Sequence, residues 1–380
     1  MLPTDKLAMP FLVLLAILSL EGCEPAPVVD TPLTFEVTEV TRSAGDVEFS
    51  RITDIGVDTR GLVYAGDGLQ RVLVLDGRGR LVREFGRMGG GPGEFQSIGN
   101  VHLLPGDSLF VYDGLAHRAT VYRPGSDRVA YTTLFPEPGY SFPMDIEPWR
   151  DGSVIGHFRR INGDVPIAGQ RRDDVIRLLN RDGSIQRDTV ITVIEPEVQE
   201  VRTDRGEGFF LPYWARQTLV RWDAQGNIYT LWTDSARVHV YDVSGQERRS
   251  IPIRLDTQRL PLTDATIDSV AQQNATQDIP ARALTRAFRS RWETWPLVEN
   301  MLVDDRSRVW IQPVTHTPES RWIAFDTTGK QVATLRLPRG VQPRLIQADR
   351  IYTVSSDSLD VQSLVVYRLE PSPTPTREHP

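Results

Sequence analysis

A repeated unit of four short apolar runs constrains the fold of this chain more than any other feature. Turn-forming residues such as Asp-Gly-Arg-Gly separate the runs, which is typical of the strands of an antiparallel meander. Because one small sheet cannot bury both of its faces, the unit predicts further copies packed against it. The first copy, between Asp54 and Phe95, has its runs at Ile55–Val57, Leu62–Ala65, Val72–Leu75 and Leu81–Phe85.

Copies of this unit follow along most of the chain and predict an all-β fold. The equivalent second strands recur at steps of 46, 45, 74, 81 and 42 residues, at Val63, Leu109, Val154, Ile228, Val309 and Ile351. Three steps match a four-stranded propeller blade, and the two long steps fit a blade plus an insertion. We therefore predict a six-bladed β-propeller over residues 33–370, with a seven-bladed ring as the alternative.

The last copy has only three strands, and the strand Leu33–Val40 has no hairpin partner nearby. We expect this N-terminal strand to pair with the last copy, because that pairing closes the ring and removes an open sheet edge.

The segment 261–292 interrupts the repeats between the fourth and fifth blades and predicts a short helical pair. Thr263-Asp264 and Pro280 are typical helix starts. Apolar residues follow at spacings of three or four, as one buried helix face requires: Ile267, Val270, Ala271, Leu284, Ala287, Phe288 and Trp292.

The N-terminal segment indicates export. Lys6 precedes an apolar run from Met9 to Leu20, and Glu21-Gly22-Cys23 follows, with the chain's single cysteine. This ending resembles the lipobox of bacterial lipoproteins, since a leucine and a small residue precede the cysteine at the expected positions. We predict a signal peptide over residues 1–22, a lipid anchor at Cys23, a proline-rich tether over residues 23–32 and an extracytoplasmic location in the cell envelope. An ordinary signal peptide with an unused thiol is the alternative.

The first copy also carries a family resemblance. Asp67-Gly-Leu-Gln-Arg71, followed by Val-Leu-Val-Leu-Asp76, and the later run Gly-Pro-Gly-Glu-Phe95 resemble the NHL repeat of six-bladed bacterial propeller lipoproteins. The resemblance implies binding of peptides, proteins, glycans or small molecules on one face of the ring. Some relatives of this architecture are enzymes, including metal-dependent lactonases and amidating lyases, so the resemblance implies no single reaction.

Two sets of aspartates are predicted to be structural. Asp58, Asp223 and Asp304 each precede a tight turn, where the carboxylate caps backbone N–H groups. The resemblance to the NHL repeat implies that a second set forms ion pairs within the blades with a following arginine: Asp67, Asp113 and Asp234.

No recognisable catalytic motif is present, so we predict no catalytic residue, no metal site and no cofactor. The six histidines include no pair four residues apart, and no Gly-x-Ser-x-Gly occurs. The formal charge of −7 argues against nucleic-acid binding. Residues 371–380 are proline-rich and predict a disordered tail.

We predict a binding or scaffold protein that recognises a peptide, protein, glycan or small molecule on the loop face of the propeller. A propeller hydrolase or lyase and a structural subunit of an envelope complex are the alternatives. Aromatic residues of an insertion suit recognition, and arginines of the insertions suit a carboxylate or phosphate. The alternatives for these residues are core packing and a solvated helix face. The candidate ligand-binding residues are Arg159, Arg160, Tyr213, Trp214, Arg286, Arg289 and Trp292.

Replacing Cys23 with serine should release the protein from membranes, because the thiol is the predicted site of lipid attachment. Immunoblots of membrane and soluble fractions measure this. Unchanged retention of Cys23→Ser in the membrane fraction would count against a lipid anchor.

Overall fold

The computed structural model describes residues 32–372, apart from residues 46, 136–140, 150–151, 161–172, 257, 318 and 339. The predicted signal peptide, Cys23 and all but the last residue of the predicted tether lie outside the described residues. The same is true of the predicted tail beyond Ser372. Within the described ranges, no helix combines the length and the apolar character needed to cross a bilayer.

Four antiparallel sheets have four strands each, in consecutive chain order. The first contains β2 (Ile52–Val57), β3 (Val63–Asp67), β4 (Arg71–Leu75) and β5 (Leu81–Phe85). The second contains β6 (Ile98–Leu103), β7 (Leu109–Asp113), β8 (Arg118–Tyr122) and β9 (Val129–Leu134). The third contains β10 (Ser141–Pro148), β11 (Val154–Arg160), β12 (Asp173–Leu179) and β13 (Ile185–Ile194). The fourth contains β16 (Thr218–Trp222), β17 (Ile228–Trp232), β18 (Arg237–Tyr241) and β19 (Glu247–Pro252).

The remaining long strands form one eight-stranded sheet in the order β20-β21-β22-β23-β1-β26-β25-β24. Its first half is the fifth four-strand unit, with β20 (Val298–Val303), β21 (Val309–Pro313), β22 (Ser320–Phe325) and β23 (Gln331–Leu337). Its second half consists of β24 (Val341–Gln347), β25 (Arg350–Ser356) and β26 (Gln362–Pro371), together with β1 (Leu33–Arg42) from the N-terminus.

The predicted pairing of the N-terminal strand with the last repeat is confirmed. β1 runs antiparallel to β26, from Phe35 opposite Pro371 to Arg42 opposite Val365. The first residues of β1 also pair in parallel with β23, with Leu33 opposite Ala333. This second pairing merges the last two units, so the described residues contain four four-stranded sheets and one eight-stranded sheet, besides a two-stranded hairpin. β26 extends to Pro371, which is inside the predicted tail.

Apolar cores lie between successive sheets and give the molecule a propeller-like arrangement. The first and second sheets share a core that includes Tyr64 and Val111, and the other successive units share similar cores. The last unit also packs on the first sheet, through Tyr352 and Leu364 against Ile55. Each unit therefore buries apolar surface against a neighbour on both sides, which one isolated meander cannot do.

The tight turns between the first and second strands of the units confirm the predicted capping role of aspartate. Asp223 Oδ1 accepts hydrogen bonds from the backbone N–H groups of Gln225 and Asn227, at 3.0 and 2.9 Å. Asp58 and Asp304 accept equivalent pairs of backbone hydrogen bonds. One oxygen of each carboxylate caps the turn and the other accepts from side chains, which explains the recurrence of these aspartates without a ligand.

The predicted ion pairs within the units are confirmed for two of the three aspartates. Asp67 Oδ2 lies 2.8 Å from Arg71 Nε, and Asp113 Oδ2 lies 3.6 Å from Arg118 Nη2. Asp234 differs, because it pairs with Arg216 and Arg259 instead of the arginine that follows it in sequence. The long connection after β19 brings Arg259 to Asp234, and this contact spans too many residues for the repeat pattern to predict it.

An insertion unit packs beside the fourth sheet and consists of a hairpin and two helices. The hairpin contains β14 (Gln199–Arg202) and β15 (Glu207–Phe210), and the helices are α1 (Asp264–Gln273) and α2 (Ala281–Arg289). Thr263 caps α1 through a hydrogen bond from the backbone N–H of Thr266, and Pro280 precedes α2. The predicted helical pair is therefore present. The hairpin and the helical pair each connect the last strand of one sheet to the first strand of the next. They therefore lie at the same end of the strands.

Trp214 and Trp292 lie in the core of the insertion unit, not on its surface. Trp214 has 0% exposure and makes edge-to-face contacts with Phe288 and Trp295 at 5.7 and 6.0 Å between ring centroids. Trp292 is also buried, and its indole N–H donates to Glu197. The interpretation of these two residues as ligand contacts is wrong, because the helices cover both rings.

Replacing Trp214 with alanine should lower the free energy of unfolding by about 3–5 kcal/mol, the usual cost of a large aromatic cavity. Urea unfolding followed by tryptophan fluorescence measures the change. Tyr213→Ala is the matched control, because Tyr213 is 76% exposed, and it should shift stability by no more than about 0.5 kcal/mol. Equal effects of the two substitutions would contradict the buried packing of Trp214.

Candidate functional site

Two of the arginines predicted to bind a carboxylate or phosphate, Arg289 and Arg159, lie in separate clusters, each with its own carboxylates. Arg289 Nε lies 3.1 Å from Asp264 of α1, and Arg289 Nη2 lies 3.4 Å from Asp268. Arg159 Nε, on β11, lies 3.5 Å from Glu195 and 3.9 Å from Asp174. These carboxylates neutralise the positive charges of Arg289 and Arg159, to which an anionic ligand would otherwise bind.

The other predicted ligand contacts remain open to solvent or undescribed. Tyr213 and Arg286 are both exposed on the insertion unit. The backbone of Arg160 ends β11, while its side chain lies outside the described part of the structure. The structure therefore brings no group of the predicted residues together into one pocket among the residues that it describes.

A different set of polar residues converges on the first strands of the units, and we name it the first-strand cluster. In the innermost strands of the first three sheets, Ile55, Val101 and Ile146 are buried in the cores. Because side chains of a strand alternate between its faces, their polar neighbours project to the opposite side. Among the first strands, β6 contacts β2 on one side and β10 on the other. Likewise, β16 contacts β20, β20 contacts β24, and β24 contacts β2. The cluster comprises Asp54, Asn100, His102, Asp145, Glu147, Arg221 and Asn300.

His102 is the central contact of the acidic part of this cluster. Its Nε2 atom lies 3.0 Å from Glu147 Oε2 and 3.9 Å from Asp54 Oδ2. The charges of the two side chains attract each other across this short His102–Glu147 contact. The Asp54 carboxylate also accepts a 2.8 Å hydrogen bond from the backbone N–H of Val101. The side chains of His102, Asp54 and Glu147 keep 25, 23 and 17% of their surface accessible to water.

The pKa values of three members of the cluster are raised, for different reasons. Burial alone would lower the pKa of His102, but the negative charges of Glu147, Asp54 and Asp145 outweigh it and raise the pKa to about 9. Burial, reinforced by repulsion from Glu147, raises the pKa of Asp145 to about 6. Burial also raises the pKa of Asp54, against the attraction of His102. His102 is therefore a cation near pH 7, and Asp145 exchanges its proton close to physiological pH.

Arg221 forms the basic part of the cluster and has only neutral partners at close range. Its Nη1 donates to the carbonyl of Val220 at 2.7 Å, and its Nη2 donates to Asn300 Oδ1 at 2.9 Å. No carboxylate of the described residues lies within 4 Å of its guanidinium. Burial lowers the pKa of Arg221, although attraction by Asp145 and Glu147 opposes that effect.

These positions define what the cluster can do chemically. Arg221 supplies unused N–H donors suited to a carboxylate or another anion. His102 and Asp145 supply a proton donor and a proton acceptor near neutral pH. For the part of the chain that is described, no group of three or more His, Cys, Asp or Glu side chains is arranged to hold a metal ion.

The sequence contains one signal for this cluster. Asp54, His102 and Glu147 each lie next to a buried aliphatic residue on the first strand of a repeat. Asp54 comes directly before the buried residue of its strand, and His102 and Glu147 come directly after theirs, so all three lie on the opposite side of the strands from the cores. Comparing the first strands of the repeats would have found the set, whereas a search for local motifs does not.

Comparison with known proteins identifies the fold and no family. No protein-family profile matches the sequence, and no curated protein matches it. Among solved structures, the chain is similar to a member of the DUF4221 family from Bacteroides vulgatus, with 8% identity, a TM-score of 0.56 and coverage of 88% of this chain and 98% of that chain. A protein of Bacteroides fragilis that is predicted to be exported has 10% identity, a TM-score of 0.53 and coverage of 90 and 96%. A gluconolactonase from Xanthomonas campestris has 11% identity, a TM-score of 0.47 and coverage of 88 and 90%.

His102 should make stability fall with rising pH across the alkaline range. Its pKa in the folded state is about 9, above the value of about 6.5 in an unfolded chain. The folded protein therefore binds this proton more tightly, so the stabilisation is complete below pH 6.5 and is lost as the pH rises through 9. The loss amounts to up to about 3 kcal/mol, since one pKa unit corresponds to about 1.4 kcal/mol.

Urea unfolding between pH 6 and 9.5 should show this loss in the wild type and a flatter profile for His102→Gln. His239→Gln provides a control, because that histidine lies on β18 outside the cluster and its loss should leave the wild-type profile unchanged. Parallel profiles for the wild type and His102→Gln would show that the Glu147 contact does not bind the proton tightly.

Proposed function

We propose that this protein is a lipid-anchored, six-bladed β-propeller of the cell envelope that binds a small polar ligand at the first-strand cluster. The observation that carries the proposal is the convergence of charged side chains from successive first strands, with Arg221 held by neutral acceptors alone. A partly buried cation with no carboxylate in direct contact loses hydration without full compensation, and an anionic group of a ligand offsets that cost. Clusters of perturbed pKa values of this kind mark functional sites.

The count of six blades follows from treating the eight-stranded sheet as two units. Its halves, β20–β23 and β24–β26 with β1, have separate apolar cores toward the fourth and first sheets. Parallel pairing between β1 and β23 involves only the first residues of β1. With the four separate sheets, this division supports the proposed count of six units in an NHL-like propeller.

The proposed location rests on the N-terminal segment and on one structural neighbour. The Bacteroides fragilis protein of the same fold is predicted to be exported. An apolar run that ends at Leu20-Glu21-Gly22-Cys23 fits lipid attachment after export. In this proposal the lipid at Cys23 holds the propeller at the membrane, and the ligand is taken from the extracytoplasmic space.

In this proposal the principal binding site is the first-strand cluster, in place of the loop-face site predicted from the sequence. Tyr213 and Arg286, which are exposed on the insertion unit, are proposed as additional contacts for a larger peptide, protein or glycan ligand.

An acid-base enzyme is the second candidate function. It is favoured by the His102–Glu147 pair and by Asp145, whose pKa of about 6 suits proton transfer near neutral pH. A hydrolase or lyase would use these groups on a ligand bound at Arg221. Time-dependent conversion of a bound compound, absent in Asp145→Asn, would distinguish catalysis from simple binding.

Ligand-observed NMR against mixtures of sugars, sugar acids, hydroxy acids and amino acids tests the proposed function. At least one compound should bind, and Arg221→Gln should weaken its binding at least tenfold, because the substitution removes the charged donor. Arg249→Gln, a change of an exposed arginine on β19, should bind like the wild type.

Absence of binding by every class of compound would overturn the proposed function. Binding that survives Arg221→Gln unchanged would place the ligand elsewhere and overturn the assignment of the cluster. The unfolding transition of Arg221→Gln should remain cooperative, and this control separates loss of the site from loss of the fold.

A further inference from the structure

The charges of the first-strand cluster are segregated by strand. The carboxylates Asp54, Asp145 and Glu147 come from β2 and β10, with His102 of β6 among them. Arg221 comes from β16, and the exposed Arg344 of β24 adds a second positive charge that acts on Arg221. One part of the cluster is therefore acidic and another part is basic.

The acidic part keeps negative charge after its internal pairing. His102 is one cation and lies closest to Glu147, at 3.0 Å. Asp54 is farther from His102, at 3.9 Å, and Asp145 has no ion pair within 4 Å among the described residues. The charge of His102 therefore neutralises Asp54 and Asp145 only in part, so a second cation would be attracted to the acidic part of the cluster.

The basic part keeps donors after its internal pairing. Arg221 has five N–H donors, and its hydrogen bonds go to Val220 and Asn300. Asn300 Oδ1 also accepts from the backbone N–H of Met301 at 2.8 Å, which fixes the amide and with it one side of the guanidinium. The remaining donors form a preorganised fork for a planar carboxylate.

We propose that the first-strand cluster selects a zwitterion, such as a free amino acid or a short peptide, with its carboxylate on Arg221 and its ammonium group on Asp145 and Asp54. This inference rests on the proposed function and deepens it by naming the ligand class. A simple anion at Arg221 is repelled by the nearby carboxylates, and a simple cation at Asp145 is repelled by Arg221 and His102. A ligand with both charges gains both attractions and avoids both repulsions.

Glycine, diglycine and triglycine test the class, because they share the same two charged ends, and each added peptide unit increases the separation between ammonium and carboxylate. Isothermal titration at pH 7 and low salt identifies the best length. For that length, the N-acetylated form carries only the negative charge, the C-terminal amide only the positive charge, and the doubly capped form neither. The zwitterion should bind at least tenfold more tightly than each capped form.

Two variants assign the ends of the ligand. Asp145→Asn should weaken the zwitterion and the amide but not the N-acetylated form, and Arg221→Gln should weaken the zwitterion and the N-acetylated form but not the amide. Asp127→Asn, at an exposed turn between β8 and β9, is the matched control and should bind like the wild type.

The outcomes separate the two proposals. Equal affinity of the zwitterion and its N-acetylated form, or failure of all three glycines to bind, overturns the zwitterion inference. The proposed function survives that result if another class of compound binds in an Arg221-dependent way. If no compound of any class binds, both proposals are wrong.

Discussion

Burial of both faces of every small sheet is the physical constraint on which the rest of this structure depends. The inner strands of each four-stranded unit, such as β3 and β4, are buried on both faces, so each unit relies on the cores that it shares with its neighbours. The contact of Tyr352 and Leu364 with Ile55 extends this rule to the ends of the chain. Pairing of β1 with β26 completes the last unit, and without that strand the edge of β26 would be exposed.

This constraint also explains how charged groups are held at the first strands. Several ionisable side chains in one partly buried place are costly, because each loses hydration and like charges repel. The cores on either side of each first strand supply the stability that offsets this cost. The strands are held by neighbours on both sides, so His102 and Glu147 keep their 3.0 Å contact without a loop that orders on binding. A preorganised site of this kind loses less conformational entropy when a ligand binds.

The sequence predicts the elements well where the signal is local, and less well where the partner is distant. Turn aspartates such as Asp223 and the start of α1 at Thr263 depend on neighbouring residues and are confirmed. The assignment of Trp214 to a ligand site is wrong, because a run of aromatic residues does not show which ring faces inward; the turn that contains both residues buries Trp214 and exposes Tyr213. The first-strand cluster was missed since Asp54 and Asn300 are far apart in the chain, and only the fold brings their strands together.

The register of β1 has a mechanical consequence. β1 is hydrogen-bonded side by side with β26 from Phe35 to Arg42, and the chain before Leu33 continues from the end of that strand. Hydrogen bonds of an antiparallel pair lie perpendicular to the strands, so tension that arrives through the N-terminus along β1 loads these bonds in shear. Shear distributes the load over the whole ladder at once, whereas peeling would break the bonds one after another. A pull on the N-terminus is therefore resisted by the same pairing of β1 with β26 that completes the last unit.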